Sequence, residues 1–441
     1  MTQHHRAGPL FTDLYELTMA AGYFAHRVFD TATFSLYIRD VYATRNFFVA
    51  AGLEQVLDEL AGVRFSDEDI DYLKTTGRFT TDFLSFLTRL RFSGDVYAMP
   101  EGTIFFANEP ILEVTAPIIE SQLLETFLLN TIGFQTMIAS KAARCIHTAA
   151  GRPLIDFSLR RTQGHDAGLN VARSTFLVGF AGTSNVMAGK LYGIPISGTM
   201  AHSYVGAFDS ERDAFLAYSE TFPDHCIFLI DTYDTIEGAK NAAVVAKEMK
   251  QKGHALIGVR LDSGDTVRLS QEVRKILDNA GLYDVKIFAS SGFDEFKIAR
   301  VLSEGAKIDA FGVGTKVGVS ADAPFVDVVY KMVRFKDRDV RKLSPGKVTF
   351  AGEKQIFRKV NSKGYFLEDI IGVRDECISG SEPLLEKVME NGNVLNPHPT
   401  LEKIRERFKL NFSRLDETYK SIQAHKDYPV KLSSRLKKLQ E

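Results

Sequence analysis

Four short apolar runs recur through the middle of this chain, and each stops at a glycine or a polar cluster. Ile227-Phe228-Leu229-Ile230 stops at Asp231, Leu256-Ile257-Gly258-Val259 at Arg260, Val285 to Ala289 at Ser290, and Ile308 to Phe311 at Gly312. The stops fall about 20 to 30 residues apart, the span of one strand, one helix and their turns. One intervening stretch places Leu269, Val273, Ile276, Leu277 and Ala280 on a helical stripe and ends at Gly281. Continuous apolar runs, rather than alternation, mark parallel strands buried on both faces. Leu154 to Phe157 and Ile194 to Ile196 add two strands, and Val326 to Val333 offers another. The expected fold is therefore α/β, an irregular (β/α) barrel; the pattern alone leaves open a doubly wound sheet that does not close.

At 441 residues the chain has room for several domains. The expected boundaries are an N-terminal α+β domain at 1–150, the barrel at 151–335, and a partly helical C-terminal extension at 336–441 that packs on the N-terminal domain. Thr12 is the expected N-cap of a helix over 10–25, with strands at Thr33–Ile38 and around Phe47–Val49 and helices to about Arg91. Between Gly94 and Pro117, short apolar runs punctuated by Pro100, Gly102 and Pro110 read as a small antiparallel β-subdomain. From Pro399 the chain reads as an amphipathic helical tail carrying Ile404, Phe408 and Leu415 among charges.

Charge excludes some partners. With 54 basic against 56 acidic residues, no global field recruits nucleic acid or an anionic membrane. Cys145, Cys226 and Cys377 are odd in number and lie far apart, so no disulfide framework or cysteine zinc site is expected. The first residues lack the apolar core of a signal peptide, and no run reaches the roughly 20 residues needed to cross a bilayer. A cytoplasmic protein is expected.

The candidate site residues gather just after the strand-like runs. Arg160 and Arg161 follow the first, and Thr199, His202 and Ser203 follow Ile194-Pro195-Ile196. Asp231 and Asp234 suit ribose hydroxyls or a metal, or cap the next helix. Arg260, Asp262 and Asp265 put a guanidinium and two carboxylates in one loop, a set that suits Mg²⁺, although Asp265 alone also suits a helix cap. Arg260 at a strand end needs a carboxylate partner, from the protein or from a ligand. Ser290-Ser291-Gly292 and Gly312-Val313-Gly314-Thr315 allow backbone to approach a phosphate, though the second also makes an ordinary tight turn. His202 is either a structural histidine or an acid, base or nucleophile toward phosphorus. The chain has no GxxxxGK[ST], so a nucleotide is not held in the P-loop manner.

Five segments together resemble the nicotinate phosphoribosyltransferases: Thr12-Asp13-Leu14-Tyr15-Glu16-Leu17-Thr18-Met19, Leu159-Arg160-Arg161-Thr162-Gln163-Gly164, Gly198 to Ser203, Val259 to Asp265, and Gly312 to Thr315. The similarity runs in order from about residue 10 to 330 and fades after about 335, so the tail receives no function. The resemblance implies conversion of nicotinate and 5-phosphoribosyl 1-diphosphate to nicotinate mononucleotide and diphosphate, with ATP as co-substrate and Mg²⁺ as cofactor. It implies a head-to-tail homodimer whose active sites use both subunits. It casts His202 as the residue that ATP phosphorylates, with Arg260 and Asp262 beside it in catalysis. Tyr15, Phe157, Arg160, Thr199 and Arg260 would surround nicotinate, with Tyr15 coming from the neighbouring subunit. Gly292, Gly314 and Thr315 would grip the phosphoribosyl group; the residue types themselves add Asp231 and Ser291 to that group, and Asp262 and Asp265 as metal ligands.

Three rivals remain. Nicotinamide phosphoribosyltransferases share the architecture but carry an aspartate where this chain has Ser184, which favours the acid as substrate. A non-catalytic phosphoribosyl-ligand binding protein is opposed by the intact His202, Arg260, Asp262 and Thr315. A Schiff-base aldolase has only Lys316 near a mapped strand end.

Overall fold

The computed structural model describes residues 8–39, 45–341 and 349–441. The N-terminal residues read for a leader lie largely outside that set. The chain forms two compact units, one from Met1–Ser140 with Ala323–Glu441 and one from Lys141–Asp322.

The first unit is built on a seven-stranded sheet in the order 338–339, 328–335, 31–38, 110–117, 95–98, 386–390, 393–394, antiparallel throughout. Its central strand Thr31–Ile38 is β-branched and aromatic, and only its first residue is exposed. The run at Val326–Val333, expected among the parallel strands, instead forms Val328–Phe335 here, antiparallel to Thr31–Ile38. The strands expected as a separate small β-subdomain are divided: Asp95–Ala98 and Pro110–Pro117 join this large sheet, while Ile104–Phe105 pairs with Phe48–Val49. The first helix is Leu14–Ala25, and its N-cap is Asp13 rather than Thr12, whose hydroxyl bonds Glu16 at 2.7 Å. The C-terminal segment holds the helix Leu401–Arg414 but is otherwise rich in strand, with Lys354–Val360, Phe366–Val373, Ser381–Pro383 and Val430–Leu432 in a four-stranded sheet.

Within this unit Arg358 and Asp369 form a buried ion pair, with Arg358 Nε 2.9 Å from Asp369 Oδ1. Glu109 is fully buried and accepts from the Phe106 amide at 2.9 Å. Burial, and then the Asp369 carboxylate, push its pKa well up against the opposing pull of Arg358.

The second unit holds six parallel strands, labelled here β1 (Leu154–Asp156), β2 (Gly182–Thr183), β3 (Ile227–Leu229), β4 (Gly258–Leu261), β5 (Lys286–Ala289) and β6 (Ala310–Val313). They lie in the order β2-β1-β6-β5-β4-β3, a curled sheet that makes a half-barrel. Ile194–Ile196 contributes only a single bridge, Ile196 with Thr183. The stretch Gly179–Gly189 contains β2 and the start of the helix Val186–Tyr192. Phe228, Val259, Ile287 and Phe311 are wholly buried on the sheet, as two-sided coverage requires. The helix after β4, Thr266–Asn279, buries Leu269, Val273 and Leu277 and ends before Gly281 at φ +76°, a left-handed position that suits glycine. Among the described residues no helix is long and apolar enough to cross a membrane.

The Glu109 carboxyl fixes a sign for pH. Its folded pKa lies above its unfolded value, so between the two the native chain keeps a proton that the unfolded chain has released. Stability therefore falls as pH rises through that window, by at most about 1.4 kcal/mol per pH unit for one proton. Glu109→Gln should flatten the slope and raise stability near neutral pH, measured by urea unfolding from about pH 5 to pH 8. An unchanged slope in the variant would show that Glu109 does not carry it.

Candidate active site

Because all six strands run parallel, their carboxyl ends share one rim, the edge at which such sheets bind ligands. Hydrogen bonds lace neighbouring ends together there. Asp231, after β3, accepts from the Asp262 amide at 2.9 Å and from the Ser263 hydroxyl at 2.6 Å through Oδ2. Asp262, after β4, accepts a short hydrogen bond from the hydroxyl of Ser290 after β5. The other oxygen of Asp231, Oδ1, is buried without a hydrogen-bond partner among the described residues.

His202 opens a four-residue helix, His202–Val205. Its Nδ1 hydrogen-bonds the Thr232 hydroxyl at 3.1 Å, and Nε2 faces Asp262 Oδ2 at 4.0 Å. The side chain is 45% exposed, so the ring is held on one edge and open on the other. Arg260, on β4, donates through Nη2 to the Met200 carbonyl at 2.8 Å, which ties the loop carrying Thr199 and His202 to the sheet. Burial draws the guanidinium below its usual pKa, against Asp262 and Asp231, which favour its charge. Its Nε is buried without a hydrogen-bond partner among the described residues. The sequence required a carboxylate for this cation; the protein supplies two nearby and leaves part of the fork free.

At the other side of the rim, Asp156 ends β1 fully buried. Its Oδ1 accepts from the Ser158 amide at 2.9 Å and its Oδ2 from the Thr183 hydroxyl at 2.7 Å, so it braces β1 against β2. Burial pushes its pKa up against these bonds. The Phe157 ring packs against Gly312: a Cβ there would stand 2.5 Å from two ring carbons. Only glycine lets the ring occupy that position. Ser184 is half-buried, its amide donating to the Asp156 carbonyl at 2.8 Å.

The phosphate-loop candidates sit on β5 and β6, which are hydrogen-bonded neighbours. Ser291 and Gly292 take successive left-handed conformations, φ +81° and +67°, and Thr315 opens the short helix Thr315–Gly318. Thus Asp231, Arg260, Asp262, Phe157, Ser291, Gly292, Gly314 and Thr315 all lie at or just beyond strand ends of this one sheet, and the loop carrying Thr199 and His202 is tied to them through the Met200 carbonyl and Thr232. Arg160 and Arg161 lie on an exposed turn just after β1. Asp234 and Asp265 cap helices: Asp265 accepts from the amides of Val267 and Arg268, both at 3.1 Å. Tyr15 belongs to the other unit, on Leu14–Ala25, with its side chain 46% exposed. Sequence reasoning gave no role to Asp156, Thr232 or Lys297. Of these only Asp156 left a signal, an acid closing an otherwise apolar strand.

Comparison with known proteins bears on what this rim serves. Residues 10–133, 153–338 and 379–440 match, in turn, the N-terminal domain, the family domain and the C-terminal domain of nicotinate phosphoribosyltransferase. The similarity therefore continues beyond residue 335, where the sequence motifs fade. A nicotinate phosphoribosyltransferase of Mycobacterium tuberculosis is 45% identical over 99% of this chain and 94% of its own length. One from Bacillus subtilis is 39% identical over 96% of this chain and 92% of its own. The crystal structure of human nicotinic acid phosphoribosyltransferase superposes with a TM-score of 0.88 at 30% identity, covering 97% of this chain and 99% of that one.

Proposed function

This chain belongs to the nicotinate phosphoribosyltransferase family, and from that membership we propose that it joins nicotinate to 5-phosphoribosyl 1-diphosphate, with ATP hydrolysed through a phosphohistidine at His202. Nicotinate phosphoribosyl transfer is the first step of NAD synthesis from nicotinate. The observation that carries the reading is the imidazole of His202, fixed between Thr232 and Asp262 beside the half-satisfied Arg260.

With Nδ1 engaged by Thr232, Nε2 is the ring nitrogen left to attack the γ-phosphorus of ATP. The bond to the bridging oxygen breaks, ADP leaves, and water later releases phosphate from the ring. The transfer itself displaces diphosphate from an anomeric carbon, so the protein mainly orients reactants and neutralises charge. Arg260 offers its unpaired Nε edge to the nicotinate carboxylate, and Phe157 offers a ring face to the pyridine. Thr199 and Arg160 complete that side, and Ser291, Gly292, Gly314 and Thr315 receive the phosphoribosyl phosphate.

The residues present fit Mg²⁺. Asp231 Oδ1 is a buried acceptor without a donor, and Asp262 stands next to it, while Mg²⁺ asks for one or two carboxylates, with waters and substrate phosphates filling the rest. Asp265, the other expected ligand, caps a helix through Oδ1, and Asp231 joins Asp262 as a candidate beside it. Bound there, the ion would neutralise charge on the departing diphosphate. A cytoplasmic setting accords with three cysteines that are all unbonded. The active unit is a homodimer in which Tyr15 of the partner subunit stacks on the pyridine.

Three measurements test this reading. Purified protein should turn over nicotinate with kcat/KM at least about tenfold above nicotinamide, and Ser184→Asp should erode the preference by setting carboxylate against carboxylate. Equal efficiency on both bases would sink the assignment of the acid. Incubation with γ-labelled ATP should leave acid-labile, base-stable phosphate on the protein, absent in His202→Ala; label that persists in the variant puts the phosphoacceptor elsewhere. Mixing Tyr15→Ala with His202→Ala protein should restore activity toward one intact site per heterodimer. Isolated heterodimers no better than either homodimer would mean that Tyr15 serves its own chain.

A further inference from the structure

The turns after β5 and β6 are tied together by one carboxylate. Asp294 is nearly buried, with its side chain 7% exposed. Its Oδ1 accepts from the Lys297 amide at 2.8 Å and caps the helix Glu295–Ser303. Its Oδ2 accepts from Lys316 Nζ at 2.9 Å, and Lys316 is the residue after Thr315. Lys297 in turn donates through Nζ to the Ser291 carbonyl at 2.8 Å while its ammonium lies 4.4 Å from the centre of the Phe293 ring. That bond holds Ser291 in a left-handed conformation that residues with a side chain avoid. The next residue, Glu295, is fully buried and paired with Lys141 Nζ at 2.5 Å and Arg144 Nε at 2.8 Å. The first turn of the helix is therefore fixed from below, and Asp294 cannot slide.

We propose that Asp294 is a positioning residue for 5-phosphoribosyl 1-diphosphate: it sets the separation of the Ser291–Gly292 and Gly314–Thr315 turns, acting on the first through Lys297 and on the second through Lys316. The inference rests on the assignment of these two turns to the phosphoribosyl phosphate. Two turns held apart at the right distance meet a rigid dianion without reordering, so loss of the tie weakens that substrate and spares the base.

Asp294→Asn separates the two duties of the side chain, because asparagine still caps a helix but carries no charge for Lys316. The expected result is a KM for 5-phosphoribosyl 1-diphosphate raised about three- to fivefold, with kcat and the KM for nicotinate nearly unchanged. Lys316→Met should do the same, and the double variant should be no worse than either single one, since all three remove one interaction. Lys316 is 43% exposed, so its variant keeps the test alive should Asp294→Asn fail to fold. The inference is overturned if the KM for 5-phosphoribosyl 1-diphosphate does not move in folded variants, if both KM values rise together with a lowered Tm, or if the two lesions add. A wild-type protein inactive on 5-phosphoribosyl 1-diphosphate would overturn the functional reading instead.

Discussion

The carboxylate of Asp231 accepts an amide and a hydroxyl from the loop after the neighbouring strand, and Asp262 in that loop accepts from Ser290 on the strand beyond. Each link crosses from one strand end to the next, so three independent turns share one hydrogen-bonded chain. Backbone and hydroxyl donors meet both carboxylates at the rim, with the cation of Arg260 close by. Below them Val259, Leu261, Ile287 and Ala289 are buried, so the polar chain rests on a packed apolar floor. His202 inherits its position from this arrangement through Thr232 and Asp262.

Arg260 shows what such a rim can do with burial. A guanidinium taken out of water loses hydration that its neighbours must replace. One donor finds the Met200 carbonyl, and Nε finds nothing among the described residues. A ligand carboxylate would complete the set, whereas a neutral amide would bring no charge to the buried cation. If Arg260 receives the base as proposed, selectivity between an acid and its amide follows from how completely the protein satisfies one side chain.

Much of this was legible because parallel strands buried on both faces write themselves as unbroken apolar runs, and β3 to β6 appear at the expected places. Val328–Phe335 shows the limit. Its run has the same texture, and only pairing with Thr31–Ile38, some three hundred residues earlier, makes it antiparallel. Ile194–Ile196 failed as a strand because Pro195 has no amide hydrogen to give a ladder, although its carbonyl still accepts from Thr183 at 3.0 Å. The C-terminal sheet was hidden by its own interior: Lys354, Arg358 and Asp369 are buried and charged, which breaks the alternation that would have announced the strands. In the site, the residue types at strand ends were readable, but the carboxylates that face the rim could not be told from those that cap helices.

The structure supplies the rule that separates them. After β3 the pair is Asp231 and Asp234, after β4 it is Asp262 and Asp265, and after β5 it is Ser291 and Asp294. In the first two pairs the first residue accepts from the neighbouring turn across the rim, and in all three the second, three positions on, accepts from one or two amides of the following helix. The spacing has a physical origin: the first position still belongs to the strand end, and a short turn must pass before an N-cap can start the helix. A cap placed there also fixes where the positive end of each helix dipole lies relative to the rim, one turn away from where anions would bind. Beyond β6 the cap is missing, and Thr315 begins its helix directly after Gly314. Lys316 in that uncapped turn reaches back to the cap of the preceding one, so the last turn is positioned by the aspartate of its neighbour.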